Sequence, residues 1–248
     1  MDRYGPETYG ERIAERYDDL HRHLDPGAAV EALARLAGDA GEVLELGIGS
    51  GRIALPLAER GLTVHGIDAS EAMLTRLRAK RNGRTICVWL GDFADVAVEG
   101  RFGVVFVAFN TFFALTTQAD QVRCFENVSP RLADEGVFVI EAFVPDVARF
   151  DRGQRVSAID VGLDEVAVDI AKYDAASQRI VKQHVRVTGS GIELLPVVIR
   201  FAWPAELDLM ARLAGLRLRE RWGGWDGRPF NSDSGQHVSV YERAQLPL

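Results

Sequence analysis

Three stretches of this sequence have the residue types and spacing for ligand chemistry. The first is Glu45-Leu46-Gly47-Ile48-Gly49-Ser50-Gly51-Arg52. Glycines tolerate positive φ and let backbone come close to a ligand. The second is Asp68-Ala69-Ser70, whose carboxylate is suited to accept hydrogen bonds from ribose hydroxyls. The third is Gly91-Asp92-Phe93, where a carboxylate can take an exocyclic amine while a ring packs on the base. Together they ask for an adenosine with free ribose hydroxyls and make no provision for phosphates. The dinucleotide fingerprint G-x-G-x-x-G fits less well. Its third glycine falls one position early, at Gly51, and Arg52 stands where a small residue belongs.

A second set of residues suits a reacting partner. Glu141 lies inside the apolar run Val139-Ile140-Glu141-Ala142-Phe143, where a carboxylate needs a partner. It either polarises an acceptor or pairs with an arginine or a backbone group. His184 shares a strand face with Lys182 and Arg186 by period-two alternation. If that face looks into a pocket, His184 is a general base. If it faces water, the row is a solvated strand. Trp225, in the glycine-rich link over 222–230, either lines an aromatic pocket or fills a sheet edge. His65 reads as core.

These groups need a scaffold, and the hydrophobic pattern supplies one. A helix is expected over 8–24, with Tyr9, Tyr17 and His21 on one face, and a second over 28–36. Strands over 43–46, 63–67, 85–90, 104–109 and 137–143 alternate with helices over 52–60, after the capping Ser70, and over 118–132. That rhythm means a parallel sheet covered on both faces. From 156 to 203 strand follows strand, with turns at 174–177 and 189–191. A helix over 204–213 and strands near 216–222 and 237–242 end the chain. The expected organisation is one domain: a helical arm (1–40), a cofactor-binding core (41–150), a β insertion or lid (151–203) and a C-terminal helix with two strands (204–248).

The order Glu45-x-Gly47-x-Gly49-x-Gly51, then Asp68-Ala69-Ser70-x-x-Met73, then Gly91-Asp92-Phe93 resembles the class I S-adenosylmethionine-dependent methyltransferases. The resemblance covers roughly residues 41–143. It implies an α/β, Rossmann-like seven-stranded sheet with its last strand antiparallel, and S-adenosyl-L-methionine as cofactor. It implies that Gly47 and Gly49 face the methionine part, with Gly51 completing the loop, and that Glu45 orients the loop or reaches the amino group through water. Asp68, with Ala69 beside it, holds the ribose. Met73 packs against adenine, and Asp92 and Phe93 take its edge and face. Phe109 offers its carbonyl to the methionine ammonium. Tyr17-Asp18 resembles a Tyr-Asp pair whose phenol reaches the methionine carboxylate; otherwise Tyr9, Tyr17 and His21 only pack the arm on the sheet. Asn110-Thr111-Phe112-Phe113 has the Asn and the aromatic of the Asn-Pro-Pro-Tyr motif of DNA amino-methyltransferases but neither proline. Asn110 therefore shapes the acceptor pocket and Phe113 walls it.

In layout the β insertion resembles that of small-molecule methyltransferases of natural-product pathways. Amino-sugar N-methyltransferases use it as a lid and a dimer surface. The implied reaction is methyl transfer to N or O of a small-molecule acceptor, with a homodimer as the expected assembly. Composition narrows the partners further. The 248 residues are 47% hydrophobic and carry a net charge of −7, which argues against nucleic acid and anionic membrane. Cys87 and Cys124 lack metal-ligand spacing and read as packed, reduced thiols. No apolar leader opens the chain, so a cytoplasmic protein is expected. Two alternatives stand beside the methyltransferase: a cofactor-binding structural or regulatory subunit without catalysis, and an NAD-dependent oxidoreductase.

Overall fold

The computed structural model describes residues 4–38 and 41–244. Five strands run parallel: β1 (Glu42–Leu46), β2 (Thr63–Asp68), β3 (Cys87–Leu90), β4 (Phe102–Val107) and β5 (Leu132–Phe143). Four more, β6 (Gln154–Val161), β7 (Glu165–Asp174), β8 (Arg179–Thr188) and β9 (Gly191–Arg200), form a separate antiparallel sheet in chain order. Strands β10 (Leu216–Trp222) and β11 (Gln236–Arg243) return to the first sheet, whose order is β10-β11-β5-β4-β1-β2-β3. There β11 pairs antiparallel with both β10 and β5. This is the Rossmann-like sheet with an antiparallel insertion that the sequence implies.

Alternating side chains of the central strands feed two cores. On one face Val43, Val104 and Phe106 pack with α3 (Gly27–Ala37), α4 (Ala54–Glu59) and α5 (Glu71–Ala79). On the other, Leu44 and Val105 pack with α6 (Gln118–Val128) and α7 (Pro204–Leu213). Phe125 of α6 sits edge-on to Phe112, Phe138 and Tyr241, an arrangement aromatic quadrupoles favour. A parallel sheet covered on both faces leaves the carboxyl ends of its strands as the place for a ligand. The insertion is tied beside that edge by a buried arginine. Arg200 bonds Glu206 at 2.7 Å and Gln121 at 2.5 Å, and Gln178 reaches Glu206 at 2.8 Å.

Three local expectations change. The arm is not one helix: α1 (Thr8–Ile13), a 3₁₀ turn at Ala14–Arg16 and α2 (Tyr17–Leu20) replace it. Helices this short have little stability of their own, so tertiary anchors decide their path. Glu11 caps α5 through Ser70 Oγ and the Ala72 N–H, while Asp18 is drawn toward the glycine loop. Next, β4 stops at Val107, because Phe109 and Asn110 both take positive φ. Finally, Cys87 is exposed on the edge strand β3, whereas Cys124 is buried in α6. Among the described residues no helix is long and apolar enough to cross a membrane.

Candidate active site

A cavity of about 1060 Å³ opens at the carboxyl ends of the parallel strands. Its inner half is walled by Gly47, Gly49, Asp68, Ala69, Met73, Asp92, Phe93, Phe109 and Tyr17. The glycine loop follows β1 because two of its residues need what only glycine supplies. Gly47 has φ +72°, and a Cβ there would lie 2.5 Å from the Thr111 methyl. Gly49 has φ +55° and a Cβ position 3.2 Å from the Met73 methyl. Asp68, at the end of β2, fixes this loop: it accepts the Gly49 N–H at 2.7 Å and the Ser70 N–H at 2.9 Å. Burial raises the Asp68 pKa, and those two N–H groups work against the rise. Gly51 lies off this wall; its Cβ would meet Leu77 at 2.4 Å, so it serves helix packing.

The arm closes the cavity from above. Asp18 accepts from Ser50 Oγ (2.6 Å), Arg76 Nε (2.6 Å) and Lys80 Nζ (2.8 Å). Burial pushes its carboxyl up, but those three donors outweigh it and hold the group at about 2. The clamp sets Tyr17 over the glycine loop. His21 stacks on Tyr17 with ring centroids 4.4 Å apart and meets Phe109 edge-on at 5.3 Å. Arg52 lies over the other side of Phe109, 5.1 Å from its centroid, within hydrogen-bond reach of the Tyr17 phenol. Burial keeps His21 below its ordinary pKa, so it is neutral at pH 7.

Phe109 and Asn110 have φ of +56° and +63°. Side chains bearing a Cβ disfavour this region, and the strain marks functional loops. Glu141 holds it in place. Its Oε2 accepts the Phe109 N–H at 2.6 Å and its carbonyl accepts the Asn110 N–H at 3.2 Å, while Asn110 Oδ1 accepts the Phe143 N–H at 2.6 Å. No protein donor among the described residues reaches the Phe109 carbonyl. Glu141 therefore pairs with backbone and does not line the cavity. A Glu141→Gln enzyme, which keeps an acceptor oxygen, is expected to stay within about threefold of wild-type kcat/KM. Glu141→Ala strands the Phe109 N–H and is expected to lose about tenfold or more. Equal losses in both would show that the charge, and not the position, matters.

The outer half of the cavity faces the insertion. Arg155 and Ser157 of β6, Asp169 and Ala171 of β7, Ile180 and Lys182 of β8 and Val197 of β9 form that wall, with Asn110, Phe143 and the 232–235 loop opposite. His184 shares the polar face but is not on the cavity wall. Its Nδ1 lies 2.9 Å from Asp169 Oδ1, and Lys182 Nζ reaches Asp169 Oδ2 at 3.1 Å. Phe113 is fully buried and supports the cavity only through its edge-on contact with Phe143, 5.0 Å away. Trp225 sits on the far layer, packed against the core that contains Val238 and Val240. Of the acceptor-side expectations, only Asn110 faces the cavity. His237 is fully buried against Ser239 at 2.8 Å, and burial drops its pKa to about 4.

Glu45 stands behind the glycine loop, 5% exposed, with Oε2 lacking any partner among the described residues. Burial pushes its pKa up to about 8, against the pull of Arg52. A buried oxygen without a donor is costly, and Glu45 backs the loop without lining the cavity itself. The glycine cradle and the ribose-competent Asp68 thus fit an adenosyl amino acid.

Known proteins agree. The family model of a methyltransferase domain matches residues 43–136. The cypemycin N-terminal methyltransferase of a Streptomyces species is 30% identical over 96% of this chain and 98% of its own length. The chain is a class I S-adenosylmethionine-dependent methyltransferase. Among solved structures, the CcbJ methyltransferase from Streptomyces caelestis superposes on this methyltransferase with a TM-score of 0.91 at 39% identity, over 98% of this chain and 100% of that one. CalS10 from Micromonospora echinaspora, an amino pentose methyltransferase, shares the fold with a TM-score of 0.67 at 22% identity, over 90% of this chain and 95% of its own. The cofactor is S-adenosylmethionine, and the nicotinamide alternative falls with this assignment.

Sequence reasoning missed three parts of the methyltransferase site. Arg52 entered only as a misfit to a dinucleotide loop, yet a cation after the last loop glycine was itself a signal. Asp169 carries no motif; its place on the wall depends on strand register. The 232–235 loop reaches the cavity because β11 pairs with β5, bringing Gln236 beside Phe143.

Proposed function

We propose that this methyltransferase methylates an amine nitrogen of a small-molecule acceptor in natural-product biosynthesis. The reading rests on the charge of the cavity. Beyond Asp68 and Asp92, which serve the cofactor, four carboxylates line it (Asp120, Asp146, Asp169 and Asp233), against three cations, Arg149, Arg155 and Lys182. Carboxylate-lined clefts with low-dielectric walls concentrate cations, and most amines arrive as cations. An amine also needs no strong base on the wall: once its proton is lost to the open cleft, it carries its own lone pair. A hydroxyl acceptor profits from a general base. His184, the expected base, is off the wall. The 30% identical relative is named for methylation at an N-terminus, which is itself an amine.

When bound, the cofactor supplies an electrophilic methyl group on a sulfonium. The protein contributes placement, which in bimolecular displacements can be worth several kcal/mol. Tyr17, His21 and Arg52 set the amino-acid end, Asp68 the ribose, and Asp92 with Phe93 the base. Asn110 and the strained turn at Phe109 form the boundary between cofactor and acceptor. The apolar outer face of the insertion, with Val156, Ile170, Ile192 and Leu194 exposed, is the surface on which a second copy docks. The reduced thiols suit a cytoplasmic enzyme.

The test is label transfer from methyl-labelled S-adenosylmethionine to a panel of small amines and matched alcohols and phenols, read by mass spectrometry. Methylation confined to the amines is expected. Methylation confined to the hydroxyl compounds overturns the reading.

A further inference from the structure

The cations on the acceptor wall are not equivalent. Arg149 is paired with Asp146 at 2.6 Å, and Lys182 with Asp169 at 3.1 Å. Arg155 lines the same cavity but has no hydrogen-bond or carboxylate partner among the described residues. It is half-buried on β6. Strand register explains what stands next to it. Arg155 pairs with Ala171 on β7, and Ala171 pairs with Lys182 on β8. All three line the cavity, so they lie on one face of the sheet. With strands about 4.8 Å apart, the Arg155 and Lys182 backbones stand roughly 10 Å from each other. Two long side chains can converge across that gap, and the methyl of Ala171 leaves the space between them open. One row along, Ser157 pairs with Asp169, and both face the cavity.

A guanidinium held half out of water, facing a cavity, is a site for an oxyanion. Its planar fork matches a carboxylate or phosphate with two parallel hydrogen bonds. Lys182 adds to this, because a lysine ammonium has three donors and Asp169 takes one. Building on the amine reading above, we infer that the acceptor carries an oxyanion, seated by Arg155 with Lys182 over Ala171, at the end remote from the methylated nitrogen. The acceptor is then a zwitterion whose ammonium and oxyanion stand several bonds apart, as in a dipeptide. The cavity sorts it by charge: the carboxylates outside the insertion that the cofactor does not use, Asp120, Asp146 and Asp233, take the ammonium end, and the insertion takes the anionic end. This orients the amine toward the cofactor and gives the insertion a role in choosing substrate.

The experiment measures binding and turnover separately. Three probe sets are used with the enzyme saturated in S-adenosylhomocysteine: ω-amino acids and dipeptides, their methyl esters and amides, and aminoalkyl phosphates. Calorimetry reads affinity; methyl transfer from S-adenosylmethionine reads kcat and KM. Arg155→Gln, on an edge strand, is the test variant, Arg155→Lys the conservative one, and the melting temperature of each confirms folding. For anionic probes, Arg155→Gln is expected to raise Kd and KM about tenfold or more with kcat within about twofold. Arg155→Lys is expected to recover part of that loss, and esters and amides to bind both proteins equally weakly. Preference for carboxylates over phosphates, or the reverse, identifies which oxyanion is seated. The inference is overturned if no anionic probe binds at millimolar concentration, or if the uncharged forms bind as well as the anionic ones. Methylation of uncharged amines in that case leaves the amine reading intact. Methylation of hydroxy acids alone, with the Arg155 effect preserved, overturns the amine reading and keeps the oxyanion seat.

Discussion

Replacing Asp68 by alanine is expected to weaken S-adenosylhomocysteine binding by at least about a hundredfold and to lower the melting temperature of the unliganded protein. The side chain does two jobs. In the fold it takes the Gly49 N–H at 2.7 Å and the Ser70 N–H at 2.9 Å, both charge-assisted bonds. Alanine leaves two part-buried donors without acceptors, about 1–3 kcal/mol each if nothing replaces the carboxylate. At roughly 2–4 °C per kcal/mol for a chain of this size, the loss is a visible shift. In the complex the same carboxylate remains able to accept from ribose hydroxyls. Losing charged acceptors for those hydroxyls costs about 1.5–3 kcal/mol per bond, so two bonds exceed the hundredfold mark. Calorimetric titration with S-adenosylhomocysteine and a thermal melt measure both halves. Wild-type affinity in Asp68→Ala contradicts the assignment of Asp68 to the ribose.

Glu45→Gln is expected to move stability and binding in opposite directions. The folded-state pKa of Glu45 is raised to about 8 by burial, against an ordinary value of 4.5. Below pH 4.5 the folded and unfolded chains both hold the proton, and the raised pKa costs nothing. As pH climbs toward 8, the unfolded chain ionises while the folded one resists. Wild type therefore loses stability across that window, and glutamine, which cannot ionise, does not. Without ligand, the variant is expected to melt higher than wild type at pH 8, and the gap is expected to close near pH 4.5. With S-adenosylmethionine the order reverses. The resemblance has Glu45 orient the loop or reach the ligand's ammonium through water, and removing its charge is expected to cost about tenfold to a hundredfold of affinity. A gap that does not change with pH between 4.5 and 8 counts against a buried, proton-holding Glu45. Trades of this kind are common where a binding group sits unpaired in the fold.

Most of the residues expected to hold the cofactor line one cavity for a physical reason. Gly47, Gly49, Asp68, Asp92 and Phe93 each lie at or just past the end of a parallel strand, and strand ends are where such sheets bind ligands. Both the strand pattern and the local turn chemistry point to the same residues. The acceptor half is a different kind of problem. Its wall is made by register between β6, β7 and β8, and a sequence shows alternation but not which neighbour a side chain meets. His184 lies on the expected face, but Asp169 takes its ring nitrogen, so the carboxylate and Lys182 reach the cavity instead. Phe113 and Phe112 look alike in sequence, and both are buried under the turn that Phe109 and Asn110 make. Trp225 follows the edge strand β10, and its choice of layer depends on the course of the link to β11. The arm is read as a long helix because Tyr9, Tyr17 and His21 recur at helical spacing. Two anchors outside it, at Ser70 and at Ser50, bend it at residues 14–16.

The most direct measurement is the melting temperature of the purified protein with saturating S-adenosylhomocysteine and, separately, with NAD. Ligand at 100 times its dissociation constant stabilises by about 2.7 kcal/mol, which for a chain of this length is a rise of roughly 5–10 °C. That rise is expected with S-adenosylhomocysteine and absent with NAD. A rise with NAD alone, or with neither ligand, contradicts a cofactor site built from the glycine loop, Asp68 and the clamped arm.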